Sequence, residues 1–435
     1  MFDAQFTLWH SLPIMLILFM FGGGLLVRLT TEAARPPRDY RYQPKVSVLL
    51  PVYNEGAHVL ETIDSIMVAD WPKDKLEIIA IDDRSTDNSY QYLQQARQAN
   101  PDRLRISQNP VNSGKHVTLT RALEQATGEI VICIDSDCIF DKNVIRELVA
   151  CFCDPKVGAV GGHIGIANVN ENVFTMVQAL VYFMSFQVGK MLQNVQGSMF
   201  CISGCLFAVR REIFEEVEEE VRTRNWFGVK VRDGEDRYMT HAILMRGWKT
   251  IINPAAVCWT AAPAQLSQLF SQQLRWRRSG LRDLFWTLAR LPQHLRVMGP
   301  RPLLTAVLPE LFTVIWAMYL VTVIPVFGIG NALDTVASAF LMFCSVFMVA
   351  AVSYNHFIKH IAYGSDKIRY PLLAGLAGAW FFMDSLLITI LALCTFDVGV
   401  WGTREVNTVQ KNQYKWLGFV TDFYLEKVHK TSTGK

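Results

Sequence analysis

The apolar residues divide the chain into two hydrophobic ends and a middle where short apolar runs alternate with amphipathic stretches. In the middle, Val46 to Leu50 is a mostly apolar run closed by Pro51. Glu77 to Ile81 is a second run, ending in Asp82-Asp83, and Glu129 to Ile134 is a third, ending in Asp135-Ser136-Asp137. Runs of this length bounded by turn residues predict buried strands. His58 to Val68, Asn88 to Gln98 and His116 to Gln125 fall between or after them and read as helices. Strands separated by helical lengths predict an α/β domain with a mostly parallel sheet and helices on its faces. Such sheets bind ligands beyond the carboxyl ends of their strands. Asn54, Glu55, Asp82, Asp83, Asp135 and Asp137 all stand at such ends.

The hydrophobic ends predict membrane segments. Leu12 to Val27, flanked by Phe6, Leu8 and Trp9, approaches the roughly 20 residues needed to cross a bilayer. No basic region precedes it, which favours a membrane helix over a signal peptide. Arg28, Arg35, Arg38 and Arg41 follow it and place its far end in the cytosol. Leu303 to Ile329 and Thr335 to Tyr354 read as two further spans joined by a Gly-Asn turn. Tyr370 to Phe396 is a third long run in this zone. A simple crossing there would leave the basic tail, Trp401 to Lys435, outside, so a re-entrant or broken segment around Gly375, Gly378 and Asp384 is expected. Glu310 and Asp384 should face protein or a polar cavity rather than lipid.

The expected organisation is a multi-pass cell-membrane protein. Residues 1–30 form an N-terminal transmembrane segment and 31–44 a linker. A cytosolic α/β domain at 45–260 is inserted between the N-terminal and C-terminal transmembrane helices. An amphipathic interfacial region at 261–302, a transmembrane or re-entrant region at 303–398 and a tail at 399–435 complete it.

Composition narrows the function. Hydrophobic residues make up 51% and charged residues 19%, low in charge for a soluble domain. The net charge of +3, with no long basic stripe, gives no footprint for nucleic acid. The nine cysteines show no paired zinc spacing and read as reduced, small apolar residues.

The candidate chemistry is acidic. Asp135 and Asp137, two apart where a strand enters a loop, suit a divalent cation such as Mg²⁺ or Mn²⁺, which prefers carboxylate and phosphate oxygens. Such a cation neutralises charge on a departing diphosphate. Asp82 or Asp83 would accept hydrogen bonds from a base or ribose, and Lys115 would reach phosphate or the base edge. Asp236, in Gly234-Glu235-Asp236-Arg237, is the candidate base for an attacking sugar hydroxyl. One base opposite the leaving group inverts the anomeric centre. In Gln272-Gln273-Leu274-Arg275-Trp276, Arg275 would neutralise diphosphate and Trp276 would lie against a sugar ring. The basic stretch that follows, with Arg277, Arg278, Arg282 and Trp286, also reads as an interfacial helix with its cations against anionic lipid.

Pro51-Val52-Tyr53-Asn54-Glu55, Asp82-Asp83, Asp135-Ser136-Asp137, Gly234 to Arg237 and Gln272 to Trp276 resemble, in order, the motifs of processive family-two glycosyltransferases. That group includes cellulose, chitin and hyaluronan synthases and the nodulation-type chitin-oligosaccharide synthases. Trp401-Gly402-Thr403-Arg404 resembles the gating loop of its hyaluronan and chitin branch. The resemblance implies a nucleotide-sugar transferase fold and a UDP-sugar donor held by Asp82 or Asp83, Lys115, Asp135 and Arg275. It implies Asp137 as metal ligand and Asp236 as base. Gln272 and Trp276, with Ser203, Gly204 and Cys205, would meet the acceptor, a growing polysaccharide threaded through the bilayer. UDP-N-acetylglucosamine is the favoured donor, for a chitin-like or hyaluronan product. Cys205 stands where close relatives carry proline, Arg84 replaces a glycine and Lys115-His116 replaces a more basic pair, which leaves the sugar open. A non-processive transferase acting on a membrane lipid, or a nucleotide-binding receptor or transporter, are the competing readings.

Overall fold

The computed structural model describes residues 36–226, 229–230, 234–327, 329–361 and 367–395. The expected N-terminal membrane segment, residues 31–35 of the linker and the motif Trp401 to Arg404 lie outside them.

An eight-stranded sheet forms the core of the α/β domain. Its strands are β1 (Val46–Val52), β2 (Leu76–Asp82), β3 (Leu104–Gln108), β4 (Ile130–Ile134), β5 (Cys138–Phe140), β6 (Val157–Ile166), β7 (Leu206–Arg210) and β10 (Lys249–Thr260). The short ribbon β8 (Asn225–Trp226) and β9 (Val229–Lys230) stands apart. Every residue of β1, β2, β4 and β6 is buried, as expected of strands covered on both faces. Helices α1 (His58–Met67), α2 (Ser89–Ala99), α3 (Lys115–Leu123), α4 (Val144–Ala150) and α7 (Arg211–Thr223) belong to this domain. Each buried Ile, Leu or Val contributes about 1.5–3 kcal/mol, so the continuous apolar runs dominate the stability of this layer.

The sheet order is β3-β2-β1-β4-β7-β6-β10-β5. β2, β1 and β4 are parallel, as the sequence predicts, and β3, which it does not predict, extends them in parallel beside β2. Beyond β4 the sheet is mixed, which corrects the mostly parallel expectation. β7 is antiparallel to both β4 and β6, and β5 is antiparallel to β10. The reason lies between β6 and β7. There the chain forms α5 (Val173–Phe183), a π-helical turn over Met184–Gly189 and α6 (Met191–Val195), without crossing back along the sheet. It re-enters from the carboxyl end of β4, with Leu206 opposite Ile134. This reversal sets the Ser203-Gly204-Cys205 loop beside Asp135, whose N–H donates to the Cys205 carbonyl at 3.3 Å.

After β10 the chain is helical. α8 (Glu235–Met245) precedes β10, and α9 (Leu266–Ala289), α10 (Leu291–Met298), α11 (Pro300–Phe327), α12 (Ile329–Ile361) and α13 (Pro371–Cys394) follow it. Pro300–Tyr319, Val336–His356 and Pro371–Cys394 are long and apolar enough to cross a bilayer, so this is a multi-pass membrane protein. Gly330-Asn331 lies inside the first turn of α12 rather than in a turn between helices.

α13 is unbroken from Pro371 to Cys394, against the expected interruption. The glycines assigned to that break do something else. A Cβ on Gly375 would stand 2.4 Å from Met348 Sδ, and one on Gly378 would stand 2.2 Å from Phe347 Cδ1. They let α13 approach α12 closely, the usual role of small residues between membrane helices. The surroundings of the Asp384 side chain lie outside what the structure describes.

The interfacial reading of α9 also changes. Arg278 and Arg282 are buried, and Arg278 Nε donates to Thr395 Oγ1 at 2.9 Å, so these cations face protein rather than lipid headgroups.

Candidate active site

The carboxyl ends of the strands open into a cavity of about 540 Å³. Asp135 and Asp137 line it just after β4, and Lys115 reaches it from the start of α3. Lys115 is not on an exposed turn. Its Nζ lies 2.5 Å from Asp135 Oδ1 and 3.8 Å from Glu235 Oε1, and it donates to the Gly204 carbonyl at 3.1 Å. Burial works against its charge, but Asp135 and Glu235 outweigh burial and hold the ammonium well above the ordinary lysine value.

Three carboxyl groups crowd this end of the cavity. Asp137 accepts a long contact from Thr260 Oγ1 at 3.4 Å. Burial, then the neighbouring Asp135, push its carboxyl above the ordinary range. Glu55 accepts from Ser136 Oγ at 3.0 Å. Burial, then Asp137, push Glu55 up to about 7. The surplus of negative charge calls for a cation, and the donors are all hard oxygens of the kind Mg²⁺ and Mn²⁺ prefer. Among the described residues no three His, Cys, Asp or Glu side chains form a complete ligand set. The protein therefore offers part of a shell, which diphosphate and water oxygens fit.

Asp82 and Asp83 do not line this cavity. Both are buried and hydrogen bonded within the loops around them. Asp82 accepts from the Ser85 N–H at 3.0 Å and from Gln108 Nε2 at 2.8 Å. Asp83 accepts the N–H groups of Ser113 and Gly114, both at 2.8 Å, and Asn109 Nδ2 at 2.9 Å. Asp83 thus shapes the turn that delivers Lys115.

Asp236 sits in the first turn of α8. Its Oδ2 accepts the Gly204 N–H at 2.9 Å and its Oδ1 accepts the Arg237 N–H at 2.8 Å. A Cβ on Gly204 would stand 3.3 Å from Asp236 Cβ and 3.4 Å from Lys115 Nζ, so the Ser203-Gly204-Cys205 loop passes close beneath both groups. Gly234, the residue before α8, has φ of 72°, the left-handed region. A Cβ there would stand 1.9 Å from Ser279 Oγ on α9, so this glycine also sets how near α8 and α9 come.

α9 supplies the opposite wall with Gln272, Arg275 and Trp276. Trp276 packs against Tyr182 at the end of α5, with ring centroids 6.0 Å apart. Gln272 Oε1 is buried and has no protein hydrogen-bond partner. The cavity continues to Ala306, Val307 and Glu310 of α11. Glu310 is paired with Arg277 at 2.9 Å, in keeping with the expectation that it faces protein or a polar space.

The structure thus brings together Lys115, Asp135, Asp137, Ser203, Gly204, Cys205, Asp236, Gln272, Arg275 and Trp276. It also adds Tyr182, Ser185, Lys190, Arg237 and Asp283 to the wall. Tyr182 and Lys190 escape a reading by pattern because they lie in a long apolar stretch that resembles core. The π-helical turn between them shifts the register of the helix face.

Comparison with known proteins fits this geometry. Residues 47–218 match the family described as Glycosyl transferase family 2. Hyaluronan synthase of Streptococcus pyogenes is 27% identical over 382 residues, covering 86% of each chain. The chain is a glycosyltransferase; its residues 47–218 are similar to family 2, and it is distantly similar to hyaluronan synthases. An N-acetylglucosaminyltransferase of Rhizobium leguminosarum bv. viciae is 30% identical over 268 residues, covering 61% of this chain and 63% of that protein. Among solved structures, a mannosyltransferase from Pyrobaculum calidifontis in complex with GDP-Man and Mn²⁺ has a TM-score of 0.54 at 22% identity. It covers 86% of this chain and 98% of its own, and the likeness is one of fold.

Proposed function

We propose that the glycosyltransferase is a metal-assisted, inverting enzyme that takes sugar from a UDP donor and extends a polysaccharide at the cytosolic face of the membrane. The observation that carries this reading is the single cavity. It has Asp135, Asp137 and Lys115 at one end, Asp236 between, Arg275 and Trp276 opposite, and the foot of the first apolar helix as its inner wall.

In this reading an acceptor hydroxyl lies within reach of Asp236. Asp236 takes its proton as the oxygen forms a bond to the anomeric carbon. The bond from that carbon to the diphosphate oxygen breaks, and its electron pair leaves with UDP. Attack from the face opposite the leaving group inverts the centre. Arg275 meets the leaving diphosphate, and Trp276 holds the acceptor ring against its face. A bound Mg²⁺ or Mn²⁺, held in part by Asp137, supplies neutralisation of the diphosphate charge. In this reading Asp83 supports the turn that carries Lys115, and Asp82 holds the neighbouring loop through Ser85 and Gln108.

UDP-N-acetylglucosamine is the proposed donor, alone for a chitin-like chain or alternating with UDP-glucuronate for hyaluronan, and the chain moves into the membrane helices. The names and extents of the matched synthases and the N-acetylglucosaminyltransferase support this. Purified protein incubated with single UDP-sugars and mixtures, with Mg²⁺ or Mn²⁺, tests it by UDP release and product sizing. Long polymer is the expected result. Single additions to a membrane lipid overturn processivity, and absence of UDP release from every donor overturns the assignment.

A further inference from the structure

Behind the inner wall of the cavity three titratable side chains stand in a line. Asp283 of α9 lines the cavity, and its Oδ1 lies 2.8 Å from Nδ1 of His241 on α8. His241 Nε2 lies 2.9 Å from Nε2 of His294 on α10. His294 Nδ1 lies 2.8 Å from the Arg290 carbonyl. His241 is 1% exposed and His294 0% exposed, so no solvent reaches the line from the side. Trp286 packs on both imidazoles at 4.7 and 5.2 Å, and Phe200 on His241 at 5.1 Å.

The partners fix the number of protons. A carbonyl oxygen only accepts, so His294 Nδ1 carries a hydrogen. A carboxylate only accepts, so a proton also lies between His241 Nδ1 and Asp283. The contact between the two Nε2 atoms needs one hydrogen as well, because two lone pairs facing each other at that distance repel. That makes three protons across two imidazoles and a carboxylate, one more than neutral rings beside an ionised aspartate would hold. His241 is the ring that faces a carboxylate while His294 faces a neutral carbonyl, which assigns the extra proton to His241. Burial, with His241 a further cause, also lowers the His294 pKa.

Around the line stand Arg237 and Tyr238 of α8, Arg290 between α9 and α10, Glu310 of α11 and Cys201 in the adjoining loop. Arg237 lies 3.9 Å from the second oxygen of Asp283. Burial opposes the Arg237 charge, but Cys201, Asp283 and Glu310 hold it well above the ordinary range.

We propose that Asp283, His241 and His294 form a proton-filled link in which His241 stands as an imidazolium, and that Asp283, fixed by it, positions Arg237 against the cavity wall beside Asp236. The link ties α8, α9 and α10 together and is electrically neutral as a unit. Only its role in turnover rests on the glycosyltransfer reading; the proton count does not.

The test is a nitrogen-resolved NMR spectrum of the full chain in lipid nanodiscs, with isotope-labelled histidine and His241→Gln and His294→Gln for assignment. Near neutral pH it should show His241 with both ring nitrogens protonated and His294 as a neutral ring carrying its hydrogen on Nδ1. Two neutral rings overturn the proton count whatever the enzyme turns over. In Asp283→Asn the doubly protonated signature should vanish. UDP release should then fall about tenfold in kcat with KM for the donor within about twofold, the pattern of a lost positioning contact. Loss of the signature with unchanged kcat overturns the positioning role. If Asp283→Asn does not fold, the wild-type spectrum still decides the proton count. Failure of all sugar transfer with the signature present would sink the proposed function and leave the link standing.

Discussion

Asp236→Asn separates two consequences that the geometry makes distinct. Both oxygens of Asp236 accept a backbone N–H, from Gly204 at 2.9 Å and Arg237 at 2.8 Å. Asparagine keeps one acceptor and turns an NH₂ group towards the other N–H, leaving a part-buried donor unsatisfied at a cost of about 1–3 kcal/mol. That cost is local, at the junction of the 203–205 loop with α8. The chemical cost is larger. Removal of a general base lowers kcat about 10²–10⁴-fold, or about 3–5 kcal/mol in the barrier. Calorimetric titration with a UDP-sugar and Mg²⁺ should show donor binding largely kept, because Asp135, Asp137 and Arg275 are unchanged, while coupled UDP release falls by the stated factor. Turnover within tenfold of wild type would refute Asp236 as the base. Donor binding lost in parallel would mean that the loop junction, rather than proton transfer, governs the effect.

Gly234→Ala combines a left-handed φ of 72° with a Cβ placed 1.9 Å from Ser279 Oγ. It should cost about 2–4 kcal/mol, read as a lowered unfolding temperature, and Ser279→Ala should recover part of it. Arg277→Met leaves Glu310 without its 2.9 Å partner at the foot of α11. Both side chains keep some exposure, so a loss of about 1–2 kcal/mol is expected in detergent-solubilised protein. Adding Glu310→Gln should restore most of it if the pair interacts directly. Glu77 is a buried residue of β2 beside Ser47 of β1; burial would raise its pKa, but Ser47, Thr127 and Lys45 outweigh this and hold it below the ordinary range. Its stabilisation is complete above the unfolded carboxyl value of about 4.3 and is lost as pH falls through the depressed folded value. Glu77→Gln should therefore lower stability at neutral pH and flatten the acid limb of a stability-versus-pH curve; an unchanged acid limb would contradict this.

β1, β2 and β4 were legible because each is a largely apolar run ending in polar residues, whereas β3, Leu-Arg-Ile-Ser-Gln, has no such run and does not read as a strand. β4 is the clearest case, since Ile130 to Ile134 leads directly to Asp135. β7 was not legible. Its reversal depends on where α5 and α6 lie, a tertiary fact that no local period encodes. The same gap hid Tyr182 and Lys190, polar groups set in apolar helix and presented to the cavity by a π-helical turn. Gly375 and Gly378 misled for a related reason. Between membrane helices glycine marks close approach as readily as a break, and composition alone does not separate the two. Asp82-Asp83 were found by pattern, and the structure adds that Asp83 accepts two N–H groups of the turn before Lys115, a contact no sequence pattern encodes.

The catalytic domain and the apolar helices share a core, and this bears on how the site works. Met176, Leu180 and Phe183 of α5 pack in one cluster with Phe343, Phe347 and Tyr354 of α12 and Ala374 of α13. The ring of Phe183 lies 5.6 Å from that of Tyr354. Polar ties follow the same seam, since Asn170 Nδ2 donates to the Lys367 carbonyl and the Arg369 N–H donates to Asn170 Oδ1, both at 2.9 Å. α5 leads into the π-helical turn that presents Ser185 and Phe186 to the cavity, and α11 closes the inner wall with Ala306, Val307 and Glu310. A soluble sugar transferase anchored by a loose tether would complete its cavity without such helices. Here the wall opposite the carboxylates is made of helices that also pack against the spans, so under the proposed function an acceptor would meet the same helices that lead into the membrane.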